Sequence, residues 1–156
     1  MRILSCELAG RTGHQAGRQL LAEAYRAETG MDLPEIRVTD RGKPYFPESS
    51  WHFSISHTQK HAFCVLSKKN VAIDAEEQDR KINLKLADKI LSPAEKARFD
   101  AAADKEKALL TFWVLKEAEA KLSGEGLRGY PNHTNFSLED PRVTERSGCI
   151  VAVMEE

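Results

Sequence analysis

The stretch WHFSISHTQKHAFCVLSKKNVAIDAE, residues 51–76, decides the fold class because it contains three strand patterns in succession. Residues 51–56 alternate apolar and polar side chains, which is the period of a half-buried strand. Residues 62–66 are continuously apolar and predict a more deeply buried strand. Residues 68–70 predict a turn, and a further strand follows at 71–75. The centre of the chain is therefore predicted to consist of strands joined by hairpins.

The residues before this stretch predict a strand, a helix and a second short strand. Apolar and polar residues alternate over 4–8, and Thr12 and Gln15 have the spacing of a capping box at a helix N-terminus. The helix is expected to end at Gly30, and residues 35–39 can form a strand. An αβ unit followed by hairpin-linked strands predicts a mixed α+β domain.

The second half of the chain is predicted to be helical first and to end in strands. Apolar residues at helical spacing predict a helix over 82–91, and the Ser-Pro-Ala-Glu sequence at 92–95 is typical of a helix start. A longer helix is expected over 104–123. Two strand-like segments, 134–138 and 149–154, follow it.

Length and composition favour one globular domain. The 156 residues suit a single domain, 1–156, and we expect approximate halves at 1–60 and 61–156. Hydrophobic residues make up 41% and charged residues 30%, a mixture typical of globular proteins. No segment reaches the roughly 20 apolar residues that cross a bilayer. The net charge of −1 gives no case for nucleic-acid binding.

The three cysteines, Cys6, Cys64 and Cys149, are isolated and lack metal-ligand spacing. They are interpreted as small buried hydrophobic residues in a reducing compartment. No signal-peptide pattern is found near Met1. We therefore expect a cytoplasmic protein without a membrane segment.

Asp74 and Glu76 form the first candidate site. Residues two apart on a strand share a face, so both carboxylates project together while Ile73 faces the core. Two carboxylates at a strand end suit a hard, oxygen-seeking cation such as Mg²⁺. The same pattern is also typical of a strand that simply ends in solvated acids.

The long predicted helix carries the second candidate cluster. Trp113, Glu117 and Lys121 are four residues apart and stack along one face, with Lys116 beside them. This spacing is equally typical of an exposed ion pair between Glu117 and Lys121 next to a core tryptophan. Both interpretations stay open on this pattern alone.

The third candidate cluster follows the strand at 51–56. Ser56 and His57 offer hydrogen-bond donors for an anion, and Lys43 and Pro44 lie in a turn upstream. A histidine after a strand can equally be structural. This cluster alone therefore does not decide a function.

Taken together and in this order, the motifs resemble the 4′-phosphopantetheinyl transferase superfamily, nearest to its surfactin-synthetase-activating type. That family carries a Gly-Lys-Pro turn, a Phe-Asn-Ile-Ser-His-Ser strand end, a Gly-Ile-Asp-Ile-Glu strand, and a Trp-x-x-Lys-Glu-x-x-x-Lys helix followed by Gly-x-Gly-Leu. The corresponding residues here are 42–44, 53–58, 72–76, 113–121 and 124–127. The resemblance covers most of the chain.

The resemblance implies the family fold, in which two α+β halves are related by a pseudo-twofold axis, here in a trimmed form. It implies transfer of the 4′-phosphopantetheine group of coenzyme A to a serine of an acyl or peptidyl carrier protein, with release of 3′,5′-ADP. This reaction is a holo-carrier-protein synthase activity. The implied cofactor is Mg²⁺, with Mn²⁺ as an alternative, and its implied ligands are Asp74, Glu76 and Glu117.

The resemblance also implies which residues contact coenzyme A. Lys121 would lie against the pyrophosphate, with Lys116 as a further candidate, and Ser56 and His57 would hold the 3′-phosphate. The full implied set for coenzyme A is Arg18, Lys43, Pro44, Ser56, His57, Lys116 and Lys121. The implied catalytic residues are Asp74, Lys121 and Glu117, the last as candidate general base.

The expected protein partner is a carrier domain, whose surface beside its serine is typically acidic. Lys81, Lys85 and Lys89 repeat every four residues beside the apolar side of the helix predicted at 82–91. This basic stripe can dock a carrier, or it can be the solvated face of an ordinary amphipathic helix.

Two departures from the family leave alternatives open. Glu125 stands where a basic or small residue is common, and the segment before the helix at Thr12 is shorter than in surfactin-type enzymes. We expect a monomer, with dimerisation as the alternative. Among enzymes, the shorter holo-acyl-carrier-protein synthase type is the runner-up; it is typically a trimer and lacks the Trp-x-x-Lys-Glu form found at 113–117. A non-catalytic coenzyme A or carrier-binding module is the first alternative to an enzyme. A regulatory or assembly protein, in which the motifs serve only the core, is the second.

Overall fold

The computed structural model describes residues 1–126 and 134–156 of the chain. These residues form two three-stranded sheets, a two-stranded ribbon and four α-helices. In chain order the elements are β1 (Arg2–Glu7), α1 (Gly13–Thr29), β2 (Arg37–Val38), β3 (Pro44–Tyr45), β4 (His52–His57), β5 (His61–Ser67), β6 (Val71–Glu77), α2 (Ala87–Ile90), α3 (Pro93–Ala101), α4 (Lys105–Ser123), β7 (Val143–Arg146) and β8 (Cys149–Glu155).

The two antiparallel sheets repeat one topology. The strand order is β1-β5-β4 in the first sheet and β6-β8-β7 in the second. In each sheet an edge strand is followed by a helix, α1 or α4, and then by the opposite edge strand, and a hairpin returns the chain to the centre. The α+β class predicted from the sequence is therefore confirmed.

Sheet membership places β5 with the first half of the chain. Leu66 of β5 pairs with Arg2 on one side and with Phe53 on the other. The sheets therefore divide the chain after Ser67, a few residues beyond the approximate boundary at residue 60. The division of the single domain 1–156 into two halves stays a prediction.

Three apolar cores hold these layers together. α1 contributes Leu20 and Leu21 to a core shared with the first sheet, and α4 contributes Leu109 and Leu115 to a core shared with the second. The third core lies between the sheets and consists of Phe63, Val65, Val71, Ile73, Ala75, Cys149 and Val151. Within residues 1–126 and 134–156, none of the helices combines the length and apolar character needed to cross a bilayer.

Helix boundaries follow the capping signals of the sequence. Thr12 and Gln15 form a capping box at the start of α1, and Ser92 and Glu95 form one at the start of α3. α4 ends at Gly124, whose φ of +72° is the left-handed conformation that favours glycine at this position. Both predicted capping boxes are therefore confirmed.

Three predicted elements differ from the structure. The helix expected over 82–91 is reduced to a 3₁₀ turn at Leu84–Leu86 followed by the short α2. The strand expected at 35–39 is confined to β2. Residues 134–138 do not form a strand: the Phe136 N–H donates to Glu95 Oε2 at 3.2 Å, so this segment is anchored by a side chain rather than by a neighbouring strand.

Two buried serines join the sheets along β4 and β6. The hydroxyl of Ser54 accepts a hydrogen bond from the Ile73 N–H at 3.1 Å, and that of Ser56 accepts one from the Ala75 N–H at 3.1 Å. Ser54 and Ser56 are 8% and 6% exposed, so water cannot easily replace these acceptors. The serines therefore fix β6, and everything that it carries, against the first sheet.

Replacing Ser54 by alanine should destabilise the protein by about 1–3 kcal/mol, because the Ile73 N–H would remain buried without an acceptor. Urea denaturation measures the change in free energy of unfolding. Ser50→Ala is the matched control: its exposed hydroxyl accepts a hydrogen bond from the exposed Lys68 side chain, and we expect a change within about 0.5 kcal/mol. Equal effects of the two substitutions would contradict the role given to Ser54.

Candidate active site

Strand β6 and helix α4 bring three carboxylates to one cleft. Asp74 and Glu76 lie on the same face of β6, and Glu117 on α4 faces them; we call these three residues the carboxylate cleft. Lys121, one helical turn after Glu117, lines the same cavity. The cavity measures about 400 Å³, and its other lining residues are Ile55, Ser56, His57, Ala75, Arg80 and Trp113.

Asp74 is the most buried member of the cleft, with 7% exposure. Its Oδ1 atom accepts hydrogen bonds from Lys121 Nζ at 2.7 Å and from Ser56 Oγ at 3.3 Å. Lys121 Nζ also donates to the Ile73 carbonyl at 3.0 Å. The second oxygen of Asp74, Oδ2, is buried and has no hydrogen-bond partner among the described residues. A buried carboxylate oxygen without a partner is costly, and therefore indicates a missing cation or donor.

All three carboxyl groups have raised pKa values. For Asp74 and Glu76 burial raises the pKa, and the nearby charges of Lys121 and Arg80, respectively, only partly oppose it. Burial, followed by the negative charge of Asp74, raises the pKa of Glu117 from 4.5 to about 7. Burial is the largest cause in all three cases, so the cleft disfavours the charged forms of its carboxyl groups.

The chemistry of the cleft fits an oxygen-seeking divalent cation. Carboxylate oxygens are the ligands that hard cations prefer, and the partnerless Asp74 Oδ2 is a ready donor. The three carboxylates are not drawn together as a preformed cage. Among the described residues, the group whose three ligand atoms all lie within 4.8 Å of one another is a different one, His61, Glu77 and Cys149. Lys121 instead neutralises Asp74, and Arg80 forms an ion pair with Glu76.

A second cavity, of about 240 Å³, adjoins the cleft on the α4 side. Lys43 and Pro44 line it together with Glu117 and Lys121. The Lys43 ammonium donates to Asn70 Oδ1 and to the Leu122 carbonyl, both at 2.8 Å. Burial lowers the pKa of Lys43, which the charge of Glu156 opposes. This one cavity thus brings together four residues that were expected at the site from the sequence: Lys43, Pro44, Glu117 and Lys121.

Ser56 and His57 occupy different positions at the end of β4. Ser56 is buried, and its hydroxyl is used by Asp74 and the Ala75 N–H. His57 is exposed, lines the cleft, and lies so close to Gly13 that a Cβ there would be 2.2 Å from the imidazole. Both residues line the cleft, but His57 is the exposed one, whereas the Ser56 hydroxyl is buried and already hydrogen-bonded.

The structure does not bring Arg18 and Lys116 to the cleft. Arg18 is half-buried on α1 and lines neither of the two cavities. The Lys116 side chain is 2% exposed, and its ammonium lies 2.8 Å from Glu95 Oε1 in the core on another side of α4. Lys116 thus stabilises the packing of α4 against α3.

The comparison with known families agrees with this geometry. Residues 70–150, which contain β6 and α4, match the family model of the 4′-phosphopantetheinyl transferase superfamily. The chain belongs to the 4′-phosphopantetheinyl transferase superfamily. The recognition from the sequence motifs is confirmed at this level, while the surfactin-activating type stays a prediction.

One curated relative in the superfamily is the 4′-phosphopantetheinyl transferase HetI from Nostoc sp. (strain PCC 7120). It is 30% identical over 122 residues, which are 72% of this chain and 52% of that protein. The chain therefore spans about half the length of the curated relative that it matches.

Arg80 is a cleft residue that the sequence analysis of this superfamily member did not identify. Its guanidinium pairs with Glu76 and lies 5.9 Å from the centre of the Trp113 ring. Its charge lowers the pKa values of Asp74, Glu76 and Glu117 against the effect of burial. In the sequence Arg80 stands four residues after Glu76, a spacing that brings side chains together in a helix but not in a strand. The turn after β6 supplies the proximity instead.

Glu117→Gln should change how the stability of the metal-free protein depends on pH. A carboxyl group whose pKa rises from 4.5 to about 7 on folding binds its proton more tightly in the folded state. The free energy of unfolding of the wild type therefore falls as the pH rises from 4.5 to about 7. Glutamine does not titrate, so the variant lacks this decrease. The quantity to measure is the difference in Tm, variant minus wild type, in EDTA. We expect this difference to be larger at pH 8 than at pH 5 by about 2 °C or more, a value that is reduced for the partial exposure of Glu117.

Thermal denaturation at several pH values checks this expectation. Glu106→Gln is the control, because Glu106 is a half-buried carboxylate in the first turn of the same helix that lines neither of the two cavities. A Tm difference for Glu117→Gln that does not change between pH 5 and pH 8 would show that the cleft does not perturb this group.

Proposed function

We propose that this protein transfers the 4′-phosphopantetheine group of coenzyme A to a serine of an acyl or peptidyl carrier protein. The observation that supports the proposal most strongly is the cleft, where Asp74, Glu76 and Glu117 meet Lys121 within the matched family region. A cation site beside a lysine suits a substrate that carries a pyrophosphate. Phosphoryl-type transfer depends mainly on such positioning and charge neutralisation.

Asp74, Glu76 and Glu117 would hold the divalent cation, which we propose to be Mg²⁺. When bound, Mg²⁺ supplies neutralisation of phosphate charge and Lewis acidity. The basic groups that neutralise the carboxylates in the metal-free protein, Lys121 on Asp74 and Arg80 on Glu76, would then be available to phosphate oxygens. One set of side chains can therefore serve both the free and the loaded site.

Coenzyme A would extend from the cleft into the adjoining cavity of about 240 Å³. Phe53 and Ile55 give this cavity an apolar floor, and Lys43 gives it a cationic rim. His57, exposed at the other side of the cleft, is the candidate contact for the 3′-phosphate. Ser56 would act indirectly, by orienting Asp74.

In the proposed reaction the carrier serine oxygen attacks the β-phosphorus of coenzyme A. A new bond forms between oxygen and phosphorus, and the bond to the bridging pyrophosphate oxygen breaks, so that 3′,5′-ADP leaves with the electron pair. Lys121 stabilises the charge that develops on this leaving group. The serine proton passes to a base, for which Glu117 is our candidate because it lines both cavities.

Intact-mass spectrometry of an apo carrier protein tests the reaction directly. Incubation with this protein, coenzyme A and Mg²⁺ should add one phosphopantetheine to the carrier, and EDTA should prevent the addition. Asp74→Asn and Lys121→Met should each lower the rate about 100-fold or more, as expected for loss of an electrostatic contact to the reacting groups. Glu139→Gln, which removes an exposed acid outside both cavities, is the control.

Two results would overturn parts of the proposal. Absence of any mass gain across several carriers, together with tight binding of coenzyme A, would favour a non-catalytic binding module. An unchanged chemical rate in Glu117→Gln that still binds the metal would remove Glu117 as the base.

The basic stripe Lys81, Lys85 and Lys89 is the proposed carrier-docking surface. All three lysines are exposed, in a segment that contains the 3₁₀ turn and α2 rather than one continuous helix, and Ile82 and Ile90, which follow Lys81 and Lys89, are buried in the core of the second sheet. The apolar residues thus turn the lysines outward. An acidic carrier surface is the complementary partner.

Charge reversal in Lys85→Glu should raise the KM for the carrier roughly three- to tenfold and leave the KM for coenzyme A unchanged. The effect should weaken as salt is added, because exposed charges are screened. Lys69→Glu, in the exposed turn between β5 and β6, is the matched control for net charge. Equal increases for both variants would indicate a general charge effect instead of docking at the stripe.

A further inference from the structure

His61, Glu77 and Cys149 form a cluster of metal-ligand side chains outside the carboxylate cleft. His61 begins β5 in the first sheet, Glu77 ends β6, and Cys149 begins β8. Glu77 and Cys149 are direct partners in the β6–β8 ladder, so their side chains lie on the same face of the second sheet. His61 meets them from the first sheet.

The spacing of the three ligand atoms fits a tetrahedral metal ion. His61 Nδ1 lies 2.8 Å from Glu77 Oε1 and 3.7 Å from Cys149 Sγ, and all three atoms are within 4.8 Å of one another. Nitrogen and sulfur ligands of one tetrahedral zinc ion are about 3.6 Å apart, given bond lengths of roughly 2.0–2.1 Å and 2.3 Å. The 2.8 Å contact between His61 and Glu77 is shorter than the roughly 3.4 Å that separates nitrogen and oxygen ligands of one zinc ion, so Glu77 must move away from His61 to admit the ion.

The chemistry of the cluster also selects the ion. Imidazole nitrogen and thiolate sulfur bind Zn²⁺ and similar transition metals, whereas Mg²⁺ prefers oxygen ligands alone. The His61 and Glu77 side chains are 14% and 11% exposed, and Glu77 lines an open cavity of about 870 Å³. Of the three residues only Glu77 lines this cavity, and Cys149 is fully buried, so an ion would reach the site past the Glu77 carboxylate, and water on that side could complete its coordination.

The surrounding residues orient the ligands. The Thr58 hydroxyl donates a hydrogen bond to the Glu77 carboxylate, and the Thr58 N–H donates to the His61 carbonyl at 2.8 Å. Such outer contacts are typical of metal sites, where they fix the orientation of the ligands. Thr58 thus ties two of the three ligands to the end of β4.

We propose that His61, Glu77 and Cys149 form a second metal site, selective for Zn²⁺ over Mg²⁺, that links the two sheets. In the absence of metal, burial raises the pKa of Cys149 to about 12, so the residue is a thiol. Coordination replaces the S–H bond by a bond from sulfur to the metal, and the proton passes to solvent. The ligands of this site differ from those of the proposed transfer site, because they line neither the carboxylate cleft nor the adjoining cavity, although the cavity of about 870 Å³ that Glu77 lines is shared with His57, Glu76 and Arg80 of the cleft.

Cobalt(II), a spectroscopic substitute for Zn²⁺, tests the site in the presence of excess Mg²⁺. We expect one equivalent of Co²⁺ to produce a charge-transfer absorption of thiolate coordination, and one equivalent of Zn²⁺ to abolish it by displacement. The carboxylate cleft contributes no sulfur ligand, so it cannot give this signal. Cys149→Ser should eliminate the band, whereas Cys6→Ser, which removes another free cysteine, should retain it.

His61→Gln provides a second test that leaves the buried thiol in place. It should lower the affinity for Zn²⁺ about 100-fold or more, since even the loss of an outer partner costs roughly 10–100-fold. Circular dichroism of the metal-free variants verifies their folding. Absence of a thiolate band in folded wild type, or Zn²⁺ binding that is unchanged in both variants, would overturn the proposal and leave the cluster as a hydrogen-bonded trio.

Discussion

The carboxylate of Asp74 joins three parts of the protein that are far apart in the chain. Ser56 on β4 donates to it while accepting the Ala75 N–H, and Lys121 on α4 pairs with the same oxygen. Breaking a buried ion pair costs about 3–5 kcal/mol, although the 34% exposure of the Lys121 side chain reduces that here. The gain from the pair is offset by the burial of a second oxygen without a partner. This arrangement therefore serves the relative position of both sheets and α4 more than it serves stability.

Helix α4 carries two lysines that have opposite roles, Lys116 and Lys121. Lys116 is enclosed with Glu95, whose carboxylate also accepts the N–H groups of Ser92 and Phe136. This buried pair is a structural element, because the Lys116 ammonium is enclosed in the core and lines neither of the two cavities. Lys121 instead contacts a carboxylate at the edge of a cavity, where an incoming phosphate can compete for it. The difference follows from the five-residue separation, which places the two side chains on different sides of the helix.

Features that depend on residues close in the chain could be predicted from the sequence, whereas contacts between distant residues could not. Capping boxes and alternating strands depend on neighbours within a few residues, so α1, α3 and β4 were found where expected. Asp74 and Glu76 were paired correctly for the same reason. The burial of Lys116 depends on Glu95, and the cluster around Cys149 depends on a histidine 88 positions away. No local spacing contains that information. The edge strand β7 was missed because its mostly exposed side chains lack apolar alternation.

The neighbouring acids Glu76 and Glu77 show how one strand can serve two chemistries. Successive side chains of β6 point to opposite faces, so Glu76 joins Asp74 beside α4, whereas Glu77 shares the face of Ile73 between the sheets. On the first face the available ligands are oxygens, and on the second a nitrogen and a sulfur accompany one carboxylate. The type of ligand atom determines whether a site prefers hard cations such as Mg²⁺ or borderline cations such as Zn²⁺. A register shift of one residue would exchange the two acids, and so the serine bonds that fix β6 also fix which metal each face can accept.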